Sequence, residues 1–381
     1  MPPKVENRKE TILVTGGVGF IGTNFCVEAL SRGFRVIAFD NLIRPGVESN
    51  ILKHENYTFI KGDTREIGDL KKVFKDNKIH AIVHLSANPG IPWSIKDPLY
   101  DFKQNAEATV NVLEMSRKNG KIPVVYASTN KVYPDSLNNI TMTEFKTRWA
   151  FGERDWVLDT KNLDKSDRPT ARLKMQSRFI HGINERYPVD SQGEFPHSPY
   201  GVSKLTGDLY MQEYWHAFGV PTVINRQSCT YGLYQHGVED QGWVAWFIIA
   251  KILGRPLTIY GDGKQVRDAL FGQDLAQLYL LELEHLWDEK KRPEMAGKVF
   301  NVGGGERNLV SLLEAIELLD HIGKDFAPLK YEFKDWRFAD QKIYYTDINK
   351  VSKFWKPRTS VVEGFNRSFE WFLKNMDLIK T

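Results

Sequence analysis

An α/β fold built on a doubly wound parallel sheet is what this 381-residue sequence predicts. Three observations lead there. Short apolar runs alternate with amphipathic helical stretches over residues 11–127, the pattern of parallel strands joined by crossover helices. A glycine-rich turn stands between the first strand and the first helix, where such folds gather free backbone N–H groups. The composition, 41% hydrophobic and 26% charged, is ordinary for a packed globular chain.

Thr11–Thr15 reads as a buried strand, 20–32 as an amphipathic helix and 34–39 as the second strand. Tyr57–Lys61, 81–85 and 124–127 are further strands, separated by helices at Ile67–Asp76 and 102–118. After Tyr133 the regularity breaks. Residues 134–195 form a polar excursion, with a helix expected at 149–158 and an arginine-rich portion at 168–186 that reads as a solvated face. Trp149, Trp156, Phe179 and Ile180 are poor linker residues, so the excursion should be ordered. A helix at Pro199–Phe218 and a strand at 222–225 come next. Beyond them are helices at 244–253, 274–287, 310–322 and Val361–Lys374, with short strands near 257–260 and 298–301 and at Arg267. The expected organisation is one unit over 1–227 that contains the 134–195 excursion. A smaller, mostly C-terminal α/β unit spans 228–381, and the boundaries interleave.

Fifty-two basic and 48 acidic residues leave a net charge of +4, too weak a balance to imply nucleic acid. Two cysteines, Cys26 and Cys229, suit a reducing cytoplasm rather than a disulfide framework. Residues 1–10 hold no apolar run, and the stretch at 244–253 contains Lys251 and is too short for a bilayer. Neither a signal peptide nor a membrane span is expected. No His/Cys group has metal-ligand spacing, so no metal is expected.

The turn reads Gly16-Gly17-Val18-Gly19-Phe20-Ile21-Gly22. One glycine permits the tight turn, the next admits a pyrophosphate against the backbone, and the last lets the helix pack on the sheet. Asp40, followed by Asn41, closes the second strand 18 residues beyond Gly22. A carboxylate there accepts from a ribose diol and repels a 2′-phosphate, which favours NAD over NADP. Asp63 and the run Leu85-Ser86-Ala87 follow the third and fourth strands, at the sheet edge where ligands bind. Asn105 completes this cofactor set, together with Tyr200 and Lys204. His84 reads as a packed strand residue.

Tyr200 and Lys204 share one face of a helix. A free phenol titrates near pH ~10, and a neighbouring ammonium with a cationic nicotinamide favours its ionised form. Tyr200 can then take a proton from a sugar hydroxyl. Thr129, at the end of the fifth strand, is placed to orient that hydroxyl.

With these motifs and Gln265-Val266-Arg267-Asp268, the chain resembles the extended short-chain dehydrogenase/reductase family of NAD-dependent nucleotide-sugar epimerases and dehydratases, over residues 11–375 apart from the excursion. The fold implied is a Rossmann-type sheet with a smaller substrate domain. Dehydratases of the family usually carry an acidic pair after the Ser/Thr; here Asn130 and Lys131 follow Thr129. The run Thr129-Asn130-Lys131-Val132-Tyr133, with 240–244, 261–268 and 340–342, resembles members that invert carbon 2 of CDP-hexoses. Pro134 replaces a usual glycine, and Lys342 stands where arginine is common.

The resemblance implies an isomerase. Tyr200 removes the proton of the carbon 2 hydroxyl while bound NAD takes and returns a hydride, with no net redox. It also implies a homodimer or homotetramer. Asn130 is placed to bond the sugar, and Arg267 is the leading diphosphate ligand with Lys342 second. Trp243 would wall the base or sugar, and Gln227 would approach the nicotinamide or the sugar. Two alternatives are a UDP-hexose 4-epimerase and a non-catalytic NAD sensor. The joint presence of Thr129, Tyr200 and Lys204 argues against the sensor.

Overall fold

Strands whose aliphatic side chains are buried on both faces build a sheet that must be covered on both sides. In the computed structural model, which describes residues 8–152, 179–338 and 340–378, this is what the first half of the chain does. β1 (Thr11–Thr15) runs through the glycine turn into α1 (Phe20–Ser31). β2 (Arg35–Asp40), β3 (Tyr57–Lys61), α2 (Ile67–Asp76) and β4 (Ala81–His84) follow. α3 (Ile91–Lys96) and α4 (Pro98–Phe102) lead through a π-helical turn at Lys103–Glu107 into α5 (Ala108–Lys118) and β5 (Val124–Thr129). The excursion supplies a hairpin, β6 (Met142–Glu144) and β7 (Trp149–Phe151).

α6 (Pro199–Phe218), β8 (Thr222–Gln227), β9 (Cys229–Tyr231) and α7 (Trp243–Leu253) come next. Then follow β10 (Leu257–Tyr260), β11 (Val266–Phe271), α8 (Gly272–Trp287), α9 (Arg292–Met295) and β12 (Lys298–Val302). The described chain closes with β13 (Leu309–Ser311), α10 (Leu312–Ile322), β14 (Tyr331–Lys334), β15 (Ile343–Tyr344) and α11 (Val361–Lys374).

The main sheet has the order β12-β8-β5-β4-β1-β2-β3, and every pairing in it is parallel. Strand order reverses between β1 and β4, which opens a crevice at their carboxyl ends. One face is covered by α1 and α8, where Phe25, Tyr279 and Leu283 are buried. The other is covered by α2, α5 and α6 through Leu70, Leu113 and Met211. A separate core joins α7, α10 and α11 to β10 and β11. Among the described residues no helix is long and apolar enough to cross a membrane.

Two expectations change. The helix expected at 102–118 carries a π-helical turn and is preceded by α4. The helix expected at 149–158 begins instead as strand β7, and its residues from 153 on lie outside the described ones. Trp149 N–H donates to the Lys264 carbonyl at 3.0 Å, and the strand pairs with β6; tertiary partners override the local helical signal. Of the arginine-rich portion, 168–178 also lies outside the described residues, and Arg186 is exposed.

Candidate active site

The glycine turn is as tight as its sequence requires. Gly16 has φ +67°, and a Cβ there would lie 2.8 Å from the Ser86 nitrogen. A Cβ on Gly22 would lie 2.2 Å from the Gly16 carbonyl oxygen. The start of α1 therefore sits against the loop after β4, and its first N–H groups face the crevice. Asp40 is fixed beside it: its carboxylate accepts from Val18 N–H at 3.2 Å and Leu42 N–H at 2.9 Å. Burial pushes the Asp40 carboxyl up, against those backbone bonds. Gly16, Gly19, Phe20, Ile21, Gly22, Asp40, Asn41, Leu85, Ser86 and Ala87 all line one cleft. Arg44, Tyr100 and Gln241 line it too, and the Arg44 guanidinium donates to the Gln241 side chain across its mouth. Backbone donors at a helix start and a fixed carboxylate suit a dinucleotide with a pyrophosphate and a free ribose diol.

Four expected cofactor residues, Asp63, Asn105, Tyr200 and Lys204, lie outside this lining. Asp63 pairs with Arg65 at 2.7 Å and accepts from Asn41 Nδ2 at 2.9 Å. Asn105 is buried; its Oδ1 accepts from Asn88 N–H at 2.8 Å, and its Nδ2 reaches Ser203 Oγ at 3.0 Å. It braces the loop after β4. His84 is buried between Thr15 and Thr109, bonded to both.

α6 is aimed by its first turn. Ser198 Oγ accepts from Gly201 N–H at 3.1 Å, and Pro199 takes the first position. A Cβ on Gly201 would lie 2.4 Å from the Lys131 carbonyl oxygen. The helix start thus abuts the end of β5, where Thr129 Oγ1 donates to Asn130 Oδ1 at 3.4 Å and its hydroxyl favours the ionised form of the Tyr200 phenol. One turn on, Lys204 is buried; its Nζ donates to the Ala127 carbonyl at 2.6 Å and lies 4.2 Å from the Tyr126 ring centre. Burial pushes this ammonium down to about 7, opposed by Asp208 and Asp101. Burial pushes the Tyr200 phenol up to about 12, the Thr129 hydroxyl pulls it back, and Asp101 pushes it further up. The Lys204 ammonium is engaged by the Ala127 carbonyl, and Thr129 is the group that opposes burial at the phenol.

Sequence reasoning missed two buried carboxylates. Asp101 accepts from Ser203 Oγ at 2.5 Å and Asn88 Nδ2 at 2.8 Å. Asp208 accepts from Ser128 Oγ at 2.8 Å and from Arg226 at 2.9 and 3.0 Å. Asp208 had a usable signal, since it follows Lys204 by four on the same helix face; Asp101 had none.

On the substrate side, Asn130 Nδ2 donates to Gln341 Oε1 at 3.3 Å, which ties the end of β5 to the 340–342 segment. Arg267 Nη2 pairs with Asp340 at 2.8 Å. Lys131, pushed down to about 8 by burial, also feels Asp340. Lys342 Nζ stands 4.4 Å from the Trp149 ring centre. Gln227 is the sheet neighbour of Thr129, but its amide is engaged by the Tyr279 hydroxyl. Trp243 donates to Cys229 Sγ at 3.1 Å. The structure therefore gathers Thr129, Asn130, Tyr200 and Lys204 at one point. Arg267 and Lys342 reach it through the 340–342 segment. Gln227 and Trp243 are tied to neighbours of their own.

The chain is 34% identical to CDP-paratose 2-epimerase of Salmonella typhi, over 94% of this chain and 98% of that protein. It is 27% identical to UDP-glucuronate 4-epimerase of Thermodesulfobacterium geofontis, over 97% and 98%. UDP-glucuronic acid 4-epimerase from Bacillus cereus, solved with UDP-glucuronic acid and NAD, superposes with a TM-score of 0.70 at 26% identity, covering 96% of this chain and 99% of that one. The model of the NAD dependent epimerase/dehydratase family matches residues 12–156 and 181–303. That match covers more than half of the chain, and the chain belongs to the NAD dependent epimerase/dehydratase family.

Proposed function

We propose that this protein epimerises carbon 2 of a CDP-hexose, of the CDP-paratose/CDP-tyvelose or CDP-glucose/CDP-mannose type, through a transient 2-keto sugar. The observation that carries this reading is the 34% identity to a CDP-paratose 2-epimerase over nearly the whole of both chains. The run Thr129-Asn130-Lys131, with no acid directly after the threonine, agrees with it.

Residues 1–227 hold the dinucleotide in this reading, and most of 228–381 faces the nucleotide sugar. Backbone N–H groups around Gly16–Gly22 would take the pyrophosphate of NAD, and Asp40 its adenosine ribose. Bound NAD supplies reversible two-electron storage at the sugar carbon. Tyr200 Oη takes the proton of the carbon 2 hydroxyl and later returns it. Thr129 Oγ1 orients that exchange. Lys204 lends positive charge beside the cofactor ribose, held there by Ala127 and balanced by Asp101 and Asp208. Asn130, Arg267 and Lys342 contact the sugar and its diphosphate.

A homodimer or homotetramer belongs to the same proposal. Leu99 and Phe102 on α4 and Val202, Leu209 and Tyr210 on the neighbouring α6 are all exposed, an apolar surface of the kind a second copy covers. Light scattering should give an even multiple of the chain mass, and Leu209→Glu should shift it to the monomer.

Incubation with CDP-paratose, CDP-tyvelose, CDP-glucose and CDP-mannose, without added cofactor, tests the reaction. Inversion at carbon 2 read by nuclear magnetic resonance supports it, and four unchanged sugars overturn it. Conversion of UDP-glucose to UDP-galactose would select a carbon 4 epimerase instead.

A further inference from the structure

The β6–β7 hairpin lies in the excursion, apart from the glycine turn and the Tyr200–Lys204 pair, and it is anchored to the substrate side at several places. Lys264 Nζ pairs with Glu144 at 2.6 Å. Arg148 forks onto Glu314, which also accepts from Thr147 Oγ1 at 3.0 Å. Ser311 Oγ donates to the Thr147 carbonyl at 2.6 Å. Trp149 Nε1 donates to Asp262 Oδ2 at 2.7 Å. This last bond fixes the indole plane.

What the indole faces is an ammonium. Lys342 Nζ lies 4.4 Å from the Trp149 ring centre and 6.0 Å from that of Trp336. Trp336 in turn packs over Gly261, where a Cβ would lie 2.8 Å from its ring. The Lys342 backbone is fixed as well: its N–H donates to Asn138 Oδ1 at 2.9 Å, and its carbonyl accepts from Val266 N–H at 2.9 Å.

Four cations of this region are paired with acids. Arg267 has Asp340, Arg337 has Asp240, Lys264 has Glu144 and Arg148 has Glu314. Among the described residues no carboxylate pairs with Lys342. A ring face steadies an ammonium without cancelling its charge, so this cation keeps its full attraction for an anion. Asn130, next to Thr129, bonds the residue beside it, Gln341.

We propose that Trp149, delivered by the excursion hairpin, acts with Trp336 to hold Lys342 as the principal phosphate-facing cation of the nucleotide-sugar site. The inference rests on the nucleotide-sugar reading above and reverses the order of Arg267 and Lys342 as diphosphate ligands. Trp149 is a positioning residue in this scheme, acting through Lys342.

The test uses the purified full chain with its bound cofactor, and CDP as the probe in calorimetry at low and high salt. Trp149→Leu should weaken CDP binding about tenfold, raise KM for the nucleotide sugar in step and leave kcat and cofactor content unchanged. Trp149→Phe should retain most of the affinity. Lys342→Met should lose as much as Trp149→Leu and flatten the salt dependence. On the Lys342→Met background, Trp149→Leu should add nothing. A Trp149→Leu protein that binds CDP like the parent, or that adds its full effect to Lys342→Met, overturns the proposal. If Trp149→Leu does not fold, unchanged CDP affinity in Lys342→Met overturns it equally. Binding of UDP in place of CDP contradicts the base assignment alone, and the same variants compared with UDP then decide the role of Trp149.

Discussion

The Tyr200 phenol is a weak acid where it stands. Burial holds it up to about 12, and only the Thr129 hydroxyl pulls it toward ionisation. Positive charge brought to the crevice by a ligand must supply the rest. Tyr200→Phe should therefore keep its cofactor, read from absorbance of the purified protein, while kcat falls about 10²–10⁴-fold. Thr129→Val removes the hydroxyl that favours phenolate. It should move the acid limb of the kcat–pH profile to higher pH, whereas Thr129→Ser should leave the limb in place. Thr129, Tyr200 and Lys204 were legible in the sequence because their spacing and their places at a strand end and a helix start are local properties. Asp101 was not, since its partner Ser203 is 102 residues away. Asp208 meets Ser128 across 80 residues, and only its step of four from Lys204 pointed to it.

Elements position these groups by close approach. Gly22 lets α1 meet the turn, and Gly201 lets α6 meet the end of β5. Gly22→Ala would place a Cβ 2.2 Å from the Gly16 carbonyl oxygen. Such a variant should purify without its dinucleotide and melt lower, and full cofactor occupancy would contradict the cradle. The inner strands of the main sheet were legible because burial on both faces imposes continuous apolar runs. Strand β14 was not, because all four of its residues are exposed and only its pairing with β10 defines it. The β6–β7 hairpin was hidden for a related reason: Trp149 finds its partners at Asp262, Lys264 and Lys342, none of them near it in sequence.

Across the whole molecule, the last strand of the sheet, β12, comes from residue 298 onward and pairs beside β8. A strand near there was readable, but its place in the sheet was not. α8 follows β11 and crosses to cover the sheet, burying Glu282 against Asn225 Nδ2 at 2.8 Å. Burial pushes this carboxyl up to about 8. A raised folded-state value means the native protein binds the proton more tightly than the unfolded chain. Stability is thus lost as pH rises from the ordinary glutamate range through about 8. Glu282→Gln should melt close to the parent at pH ~5 and above it at pH ~9, and a pH-independent difference would contradict that account. The buried Arg226–Asp208 pair joins β8 to α6, and removing the carboxylate alone should cost about 3–5 kcal/mol in denaturant unfolding.

In the proposed reaction one site removes a hydrogen from carbon 2 and gives the same hydrogen back on the other face. Turnover of a CDP-hexose in deuterium oxide, without added cofactor, tests it most directly. Inversion at carbon 2 with its original hydrogen retained is the expected result. Deuterium entering carbon 2 during inversion, or a carbon 2 configuration that never changes, would contradict it.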